Sequence, residues 1–266
     1  MSRGAVEKWS QEQQHRLDEF ATPRSVDVHC HCLPGFDDGP ESLEEAIALC
    51  QAVVKDGITT VIATPHQLGR YDRANSLAQV RQSAEILSAE LKDREIPLEV
   101  YPGGDVRIDE RLPHLIDSGD IGTAADAGRH ILLELPHEVF VDALPIIDSL
   151  GEIGLQTILT HPERHRYLQN RGEWARECVE HGAVLQVTSG SLLGEFGGQA
   201  HQQAWRLVRA GIVGIIASDA HDTLRRPPRM TEAIRLLTQE IGREATRRLA
   251  IDNPLRVLAG EPIESL

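Results

Sequence analysis

Long apolar runs are missing from this sequence: no segment reaches the roughly 18 consecutive apolar residues of a membrane span, so membrane insertion is not expected. Basic residues are also in short supply. Twenty-seven Lys and Arg stand against 41 Asp and Glu, a formal charge of -14 that would repel a nucleic-acid backbone or an anionic membrane surface. A protein partner or a small substrate is the better expectation. Aromatics amount to 4%, yet hydrophobic residues together reach 41%, which over 266 residues allows a core of ordinary size. The four cysteines, Cys30, Cys32, Cys50 and Cys178, are too few and too unevenly spaced for a disulfide framework, which points to a reducing compartment.

Residues 1–24 carry Trp9, Gln11, Gln13, His15, Asp18 and Glu19 but no apolar stretch of signal-peptide length. A cytoplasmic location is expected, with this stretch a short surface helix or a disordered arm. From Ser25 onward, short β-branched runs alternate with longer helical patterns, which reads as repeated βα units and a parallel sheet or barrel. Seven strands are expected: Val26–His31, Thr59–Thr64, Leu98–Asp105, His130–Leu135, Gln156–Thr160, Ala183–Thr188 and Val213–Ser218. Helices are expected over Leu43–Lys55, Ser76–Lys92, Val141–Ile153, Glu173–Glu180 and Gln199–Arg209, with Gly57, Gly154, Gly182 and Gly211 as stops. No Ser/Pro-rich linker, low-complexity tract or charge block interrupts the pattern, so residues 25–266 read as a single domain.

In βα barrels the functional groups sit at the C-terminal ends of strands. Here His29 and His31 end the first strand, His66 follows the second, and Asp105, Glu134 and His161 mark the third, fourth and fifth. Asp219 and His221 follow the seventh. Side chains placed only for solubility would favour helix faces instead. Within Asp27–Cys32, the period of two puts His29 and His31 on one face and Cys30 and Cys32 on the other, toward the packing helices. A Cys/His zinc knuckle therefore does not fit, and the cysteines read as small apolar residues. The histidine pair is either a metal-binding pair, imidazole being a common ligand for Zn and Fe, or two satisfied core histidines. Asp37 and Asp38 lie in a tight turn, where local hydrogen bonding alone would account for them. A loop-anchoring hydrogen bond would likewise account for His66 or His161.

The stretches DVHCHCLPGFDDGP, GITTVIATPH, ILLELP, THPERHR, LQVTSGSLLGEFG and IIASDAHDTLRRPPR span about Asp27 to Arg229. In content and order they resemble the polymerase and histidinol phosphatase (PHP) superfamily, and within it the bacterial tyrosine phosphatases associated with capsular and exopolysaccharide synthesis. The His-x-His opening is superfamily-wide. The DDG turn, HPER, the GSL-x-G-x-FG segment, and SDAH followed by RPPR carry the phosphatase branch.

The resemblance implies a distorted (βα)7 barrel, TIM-barrel-like, with two or three divalent metal ions (Mn, Fe or Zn). One ion would be held by His29, His31, Asp219 and a bridging carboxylate, and a second by the same bridge, Glu134 and His161. Asp38, His66 and His221 would hold the third. The bridge falls on Asp105 in Gly103-Gly104-Asp105, where the family usually has Glu in a GQE segment. Asp is one methylene shorter, so either the strand sits closer to the metals or the bridge is weaker. Arg164 and Arg226 correspond to phosphate-contacting arginines, whose planar fork matches phosphate oxygens; ordinary surface ion pairing is the alternative, for which Arg166, Arg225 and Arg229 are equally eligible. Glu163 reads as a group that orients a ligand.

The implied reaction is hydrolysis of phosphotyrosine on a protein, with a bacterial tyrosine autokinase of capsule or exopolysaccharide synthesis as the partner. A hydroxide bridging two metals would attack phosphorus, with the arginines holding the nonbridging oxygens. Two other readings stay open: a small-molecule phosphatase of histidinol-phosphate type, and a non-catalytic metal-binding regulatory protein. Exonuclease activity is disfavoured by the acidic balance. No cysteine precedes a phosphate-cradling run ending in Arg, which argues against Cys30 or Cys32 as a nucleophile.

Overall fold

In a computed structural model, residues 25–72, 74–168 and 171–266 are described; the expected arm at 1–24 lies outside them. The described strands are β1 (Val26–Cys30), β2 (Thr60–Ala63), β3 (His66–Gln67), β4 (Glu99–Pro102), β5 (Asp105–Arg107), β6 (His130–Glu134), β7 (Gln156–Thr160), β8 (Val184–Thr188) and β9 (Val213–Ala217). All seven expected strands are present, but two are broken. The second stops at Ala63 and resumes as β3 beyond Pro65, which has no N–H to give and restricts the residue before it. The third, expected to run through to Asp105, breaks at Gly103-Gly104 into β4 and β5.

These breaks divide the parallel strands into a three-stranded sheet, β1-β2-β4, and a six-stranded sheet, β3-β5-β6-β7-β8-β9. The two are joined where the chain after β9 runs beside β1: the Asp219 N–H donates to the His29 carbonyl and the His31 N–H to the Ala220 carbonyl, both at 2.8 Å. On the other side, a short turn at Ala124–Asp126 packs between β4 and β6. The result is a distorted, TIM-barrel-like α/β fold.

Helices cover the outside: α1 (Leu43–Lys55), α2 (Leu77–Asp93), α3 (Leu112–Asp117), α4 (Leu144–Glu152), α5 (Gly172–Glu180), α6 (Ser189–Leu193), α7 (Gly197–Arg209), α8 (Met230–Ile241), α9 (Arg243–Arg247) and α10 (Asn253–Ala259). Local signals set their starts. Ser42 accepts a hydrogen bond from the Glu45 N–H ahead of α1, and Ser76 and Gln79 form a reciprocal cap on α2. Helix α4 begins at Leu144, later than the expected Val141, with a proline in its first turn, where the missing N–H costs nothing.

Two apolar layers result. The outer one packs the helices on the strands and takes in all four cysteines. The inner one fills the barrel with Val26, Val28, Ile62, Leu132, Ile158, Val184 and Ile215, and is closed below by Val257 of α10 and by Ile263. Strict alternation along β1 would put Val28 on the same side as Cys30 and Cys32. Instead Val28 faces inward and the cysteines outward, because β1 carries a bulge: Asp27 lies opposite Val61 but Cys30 opposite Ala63, three steps against two. The bulge brings His29 and His31 over the inner layer. Asp27 supports it, its buried carboxylate accepting from the Ser218 N–H at 3.0 Å and the His29 N–H at 3.3 Å.

Candidate metal centre

All nine expected ligands converge, although His66 and Asp105 open β3 and β5 rather than ending a strand. Candidate ligand atoms lie within 4.8 Å of one another in four overlapping groups: His29, His31 and Asp219; His29, Asp105 and His161; His66, Asp105 and Glu134; and His31, Asp38, His66 and His221. Asp105 is the one carboxylate in two groups; His29, His31 and His66 are each in two as well. The division differs from the implied one: His31 also joins Asp38, His66 and His221, and Asp105 falls outside the group of His29, His31 and Asp219. Glu134 joins His66 and His161 joins His29, and among the described residues no such group holds both Glu134 and His161. The difference follows from pairing: β3 sets His66 directly opposite Asp105, while β6 carries Glu134 one strand further along.

The donor set fits divalent cations. Buried polar atoms are normally hydrogen-bonded, yet Asp105 Oδ2, Asp219 Oδ1, His66 Nδ1 and His221 Nε2 are buried without a hydrogen-bond partner. Asp105 Oδ2 stands 3.6 Å from His29 Nε2, 3.4 Å from His66 Nδ1 and 3.8 Å from His161 Nε2. Asp219 Oδ1 stands 3.2 Å from both His29 Nε2 and His31 Nε2. These gaps suit an ion between the groups. Three histidines are held from behind by their other nitrogen: His29 Nδ1 by Gln186 Oε1 at 2.8 Å, His31 Nδ1 by Asp37 Oδ2 at 2.6 Å, and His221 Nδ1 by the Asp219 carbonyl at 3.0 Å. Such partners fix the tautomer and leave Nε2 free as a ligand. Both His161 (φ 34) and Asp219 (φ 53) hold a left-handed backbone, a strained geometry that functional sites retain.

Charge in the site is set by burial against close carboxylates. Burial keeps His29 and His161 below the ordinary imidazole range and takes His221 down to about 4. At His31 the burial effect is outweighed, chiefly by Asp37, and the imidazole rises to about 9. His66 rises to about 11, burial being overcome by Asp105 and Asp38. Glu134 is pushed up to about 7 by burial and by Asp105. Asp219 stays well below the carboxylate range despite burial, because Arg164 and Arg226 face it.

Both arginines reach the centre. Their Nη2 atoms meet at Asp219 Oδ2, that of Arg226 at 2.5 Å, and the Arg164 guanidinium carbon lies 3.9 Å above the Phe196 ring. Arg229 is instead engaged with Glu195 and Glu232 on the surface. A cavity of about 240 Å³ opens over the cluster, lined by Asp38, His66, Glu134, His161, Arg164 and Arg226 together with Arg70, Tyr71, Arg107 and His137.

Residues 25–259 match the family described as capsular polysaccharide synthesis, CpsB/CapC. The chain belongs to this family. Among its relatives are the tyrosine-protein phosphatase YwqE of Bacillus subtilis, 36% identical over 82% of this chain and 86% of that one, and the putative tyrosine-protein phosphatase CapC of Staphylococcus aureus, 31% identical over 76% and 79%. A solved structure, from work describing YwqE of Bacillus subtilis and CpsB of Streptococcus pneumoniae as unique metal-dependent tyrosine phosphatases, superposes with a TM-score of 0.86. It is 34% identical and covers 91% of this chain and 97% of that one.

In this CpsB/CapC chain the strand carrying Asp105 runs close against its neighbour. A Cβ on Gly103 would stand 2.7 Å from Ile62 Cγ2, and one on Gly104 2.1 Å from Gln67 Oε1. Several working residues were not singled out from the sequence. Asp37 is more than a turn residue: besides holding His31 it accepts the His66 N–H at 2.8 Å. Gln186 could have been found as a polar side chain inside an apolar strand. Phe196 lies in the GSL-x-G-x-FG segment with no local sign of its role, and Arg107, with Nε 3.2 Å from Glu134 Oε2, carries no distinguishing signal in the sequence. Glu163 orients no histidine ring directly; its Oε1 accepts from the Thr188 N–H at 3.0 Å and hydroxyl at 2.9 Å, tying the turn after β7 to the end of β8.

Proposed function

We propose that this CpsB/CapC protein is a metal-dependent protein-tyrosine phosphatase. The observation that carries the reading is the convergence of unpartnered, buried carboxylate and imidazole atoms on a cavity that two arginines enter. The names of its relatives support the substrate class. His29, His31, Asp38, His66, Asp105, Glu134, His161, Asp219 and His221 hold two or three divalent ions, with Mn, Fe and Zn the candidates for imidazole and carboxylate ligands. When bound, the ions supply Lewis acidity, activating water and drawing charge from phosphoryl oxygens.

The chain's own residues do the rest. Arg164 and Arg226, which share Asp219 Oδ2, turn their remaining N–H groups to the nonbridging oxygens of the phosphate. Phe196 holds the Arg164 plane while it does so. Arg70 and Arg107 add guanidinium groups to the cavity wall beside Asp38 and Glu134, to which they are paired, and so bring further cations within reach of a phosphate dianion. The tyrosine oxygen, with a pKa of about 10, departs with less need of a proton than an alkyl alcohol.

The proposed partner is a bacterial tyrosine autokinase of capsule or exopolysaccharide synthesis, in keeping with the family's description. A cytoplasmic setting is supported by four free cysteines and by the lack, among the described residues, of a helix long and apolar enough to cross a membrane. We read residues 25–266 as one domain. The test is a comparison of kcat/KM for a phosphotyrosine peptide and for histidinol phosphate, on chelator-stripped protein reloaded with Mn, Fe or Zn. The reading expects the peptide to be preferred and the stripped protein to be inactive; preference for histidinol phosphate would move the assignment to small-molecule hydrolysis.

A further inference from the structure

The two oxygens of Asp105, a fully buried side chain, have different surroundings. Oδ1 accepts a hydrogen bond from Thr160 Oγ1 at 3.0 Å. Oδ2 has no such partner and faces His29, His66 and His161. The Thr160 hydroxyl has one proton to give, and the Leu133 carbonyl, at 3.3 Å, competes for it. The carboxylate oxygen is nearer and charged, so it receives the proton.

We propose that Thr160 is a positioning residue of the metal centre: its hydroxyl occupies one Asp105 oxygen so that the carboxylate offers Oδ2 alone to the ions. The inference rests on Asp105 being a metal ligand. A short carboxylate has little reach to spare, so its rotation about the last bond decides whether an oxygen meets the ions at all. The backbone fixes one end of the side chain, because Gly103 and Gly104 let the chain before Asp105 pack against Ile62 and Gln67 with no room for a Cβ. Thr160 fixes the other. It is well suited to this, since a β-branched residue in a strand has restricted χ1 and the hydroxyl is held in place before any ion arrives. Without the hydroxyl, Oδ1 would be left buried with no donor, and the carboxylate would turn to divide both oxygens among the surrounding imidazoles.

The test uses the full chain, stripped of metal and titrated with Mn(II) alone, with dissociation constants from chelator competition and thermal melts of the stripped protein as a check on folding. Thr160→Val, which keeps the shape and removes the hydroxyl, should weaken Mn(II) binding by about 10- to 100-fold, and Thr160→Ser should restore it. Asp105→Ala separates the two levels of the argument. If Asp105→Ala loses affinity while Thr160→Val binds as wild type, Thr160 has no positioning role. If Asp105→Ala itself binds as wild type, the ligand assignment falls, and this inference with it. Should valine depress the melt, Thr160→Ala against Thr160→Ser makes the same comparison.

Discussion

Phe196 offers a sharp test of how the arginines work. Its ring lies 3.9 Å beneath the Arg164 guanidinium carbon and 5.9 Å from that of Arg226. Cation–π attraction fades by about 6 Å, so Arg164 takes nearly all of it. The Arg164 side chain is 11% exposed, which places the contact toward the desolvated end of the range, about 1–2 kcal/mol. Phe196→Leu keeps apolar bulk beside Gly190 but removes the π face. If the ring holds Arg164 ready for phosphate, kcat/KM for a phosphotyrosine peptide should fall roughly 5- to 30-fold. The assay is initial-rate phosphate release at fixed metal loading, with urea melts to confirm that folding is intact. In an Arg164→Ala background the leucine should cost almost nothing, because the cation it serves is gone. A wild-type rate for Phe196→Leu, or simple additivity with Arg164→Ala, would refute the reasoning.

Asp37→Asn should weaken metal binding by about 10- to 100-fold by chelator competition, since Oδ2 takes the His31 ring and the His66 N–H while Oδ1 takes the Gly39 N–H, and an amide NH2 on either side cannot accept as the carboxylate does. His130 is fully buried on β6, and burial with help from Arg129 takes its imidazole down to about 4. An unfolded chain binds a proton there below about pH 6.5 while the folded one stays neutral to about pH 4, so acid favours unfolding across that window. In urea melts of stripped protein, wild type should lose about 2 kcal/mol more than His130→Gln between about pH 7 and pH 5; equal losses would count against a buried, neutral His130.

The sequence was most informative where chemistry and periodicity coincide. Histidines and carboxylates stand at or just after the expected strand ends, and each of the nine is found in the clustered groups. Two breaks were also written locally, at Pro65 and at Gly103-Gly104, but a strand count that looked only for β-branched runs passed over them. What escaped depends on contacts between distant segments. The bulge in β1 exists only relative to its register with β2, some thirty residues away, and it decides which face His29 and His31 share. Asp37 looks like any turn aspartate until the His66 backbone is brought beside it, and Thr160 like any strand threonine until β5 and β7 flank β6. The grouping of Glu134 with His66 and of His161 with His29 likewise belongs to strand order.

The central claim is that these nine residues form one polynuclear metal centre, and anomalous diffraction from crystals of Mn-loaded protein tests it most directly. The account predicts two or three anomalous peaks enclosed by the nine side chains, one of them in contact with Asp105 Oδ2 and Asp105 Oδ1 still bonded to Thr160. A single peak elsewhere on the surface, with the cluster unoccupied at saturating Mn(II), would contradict it.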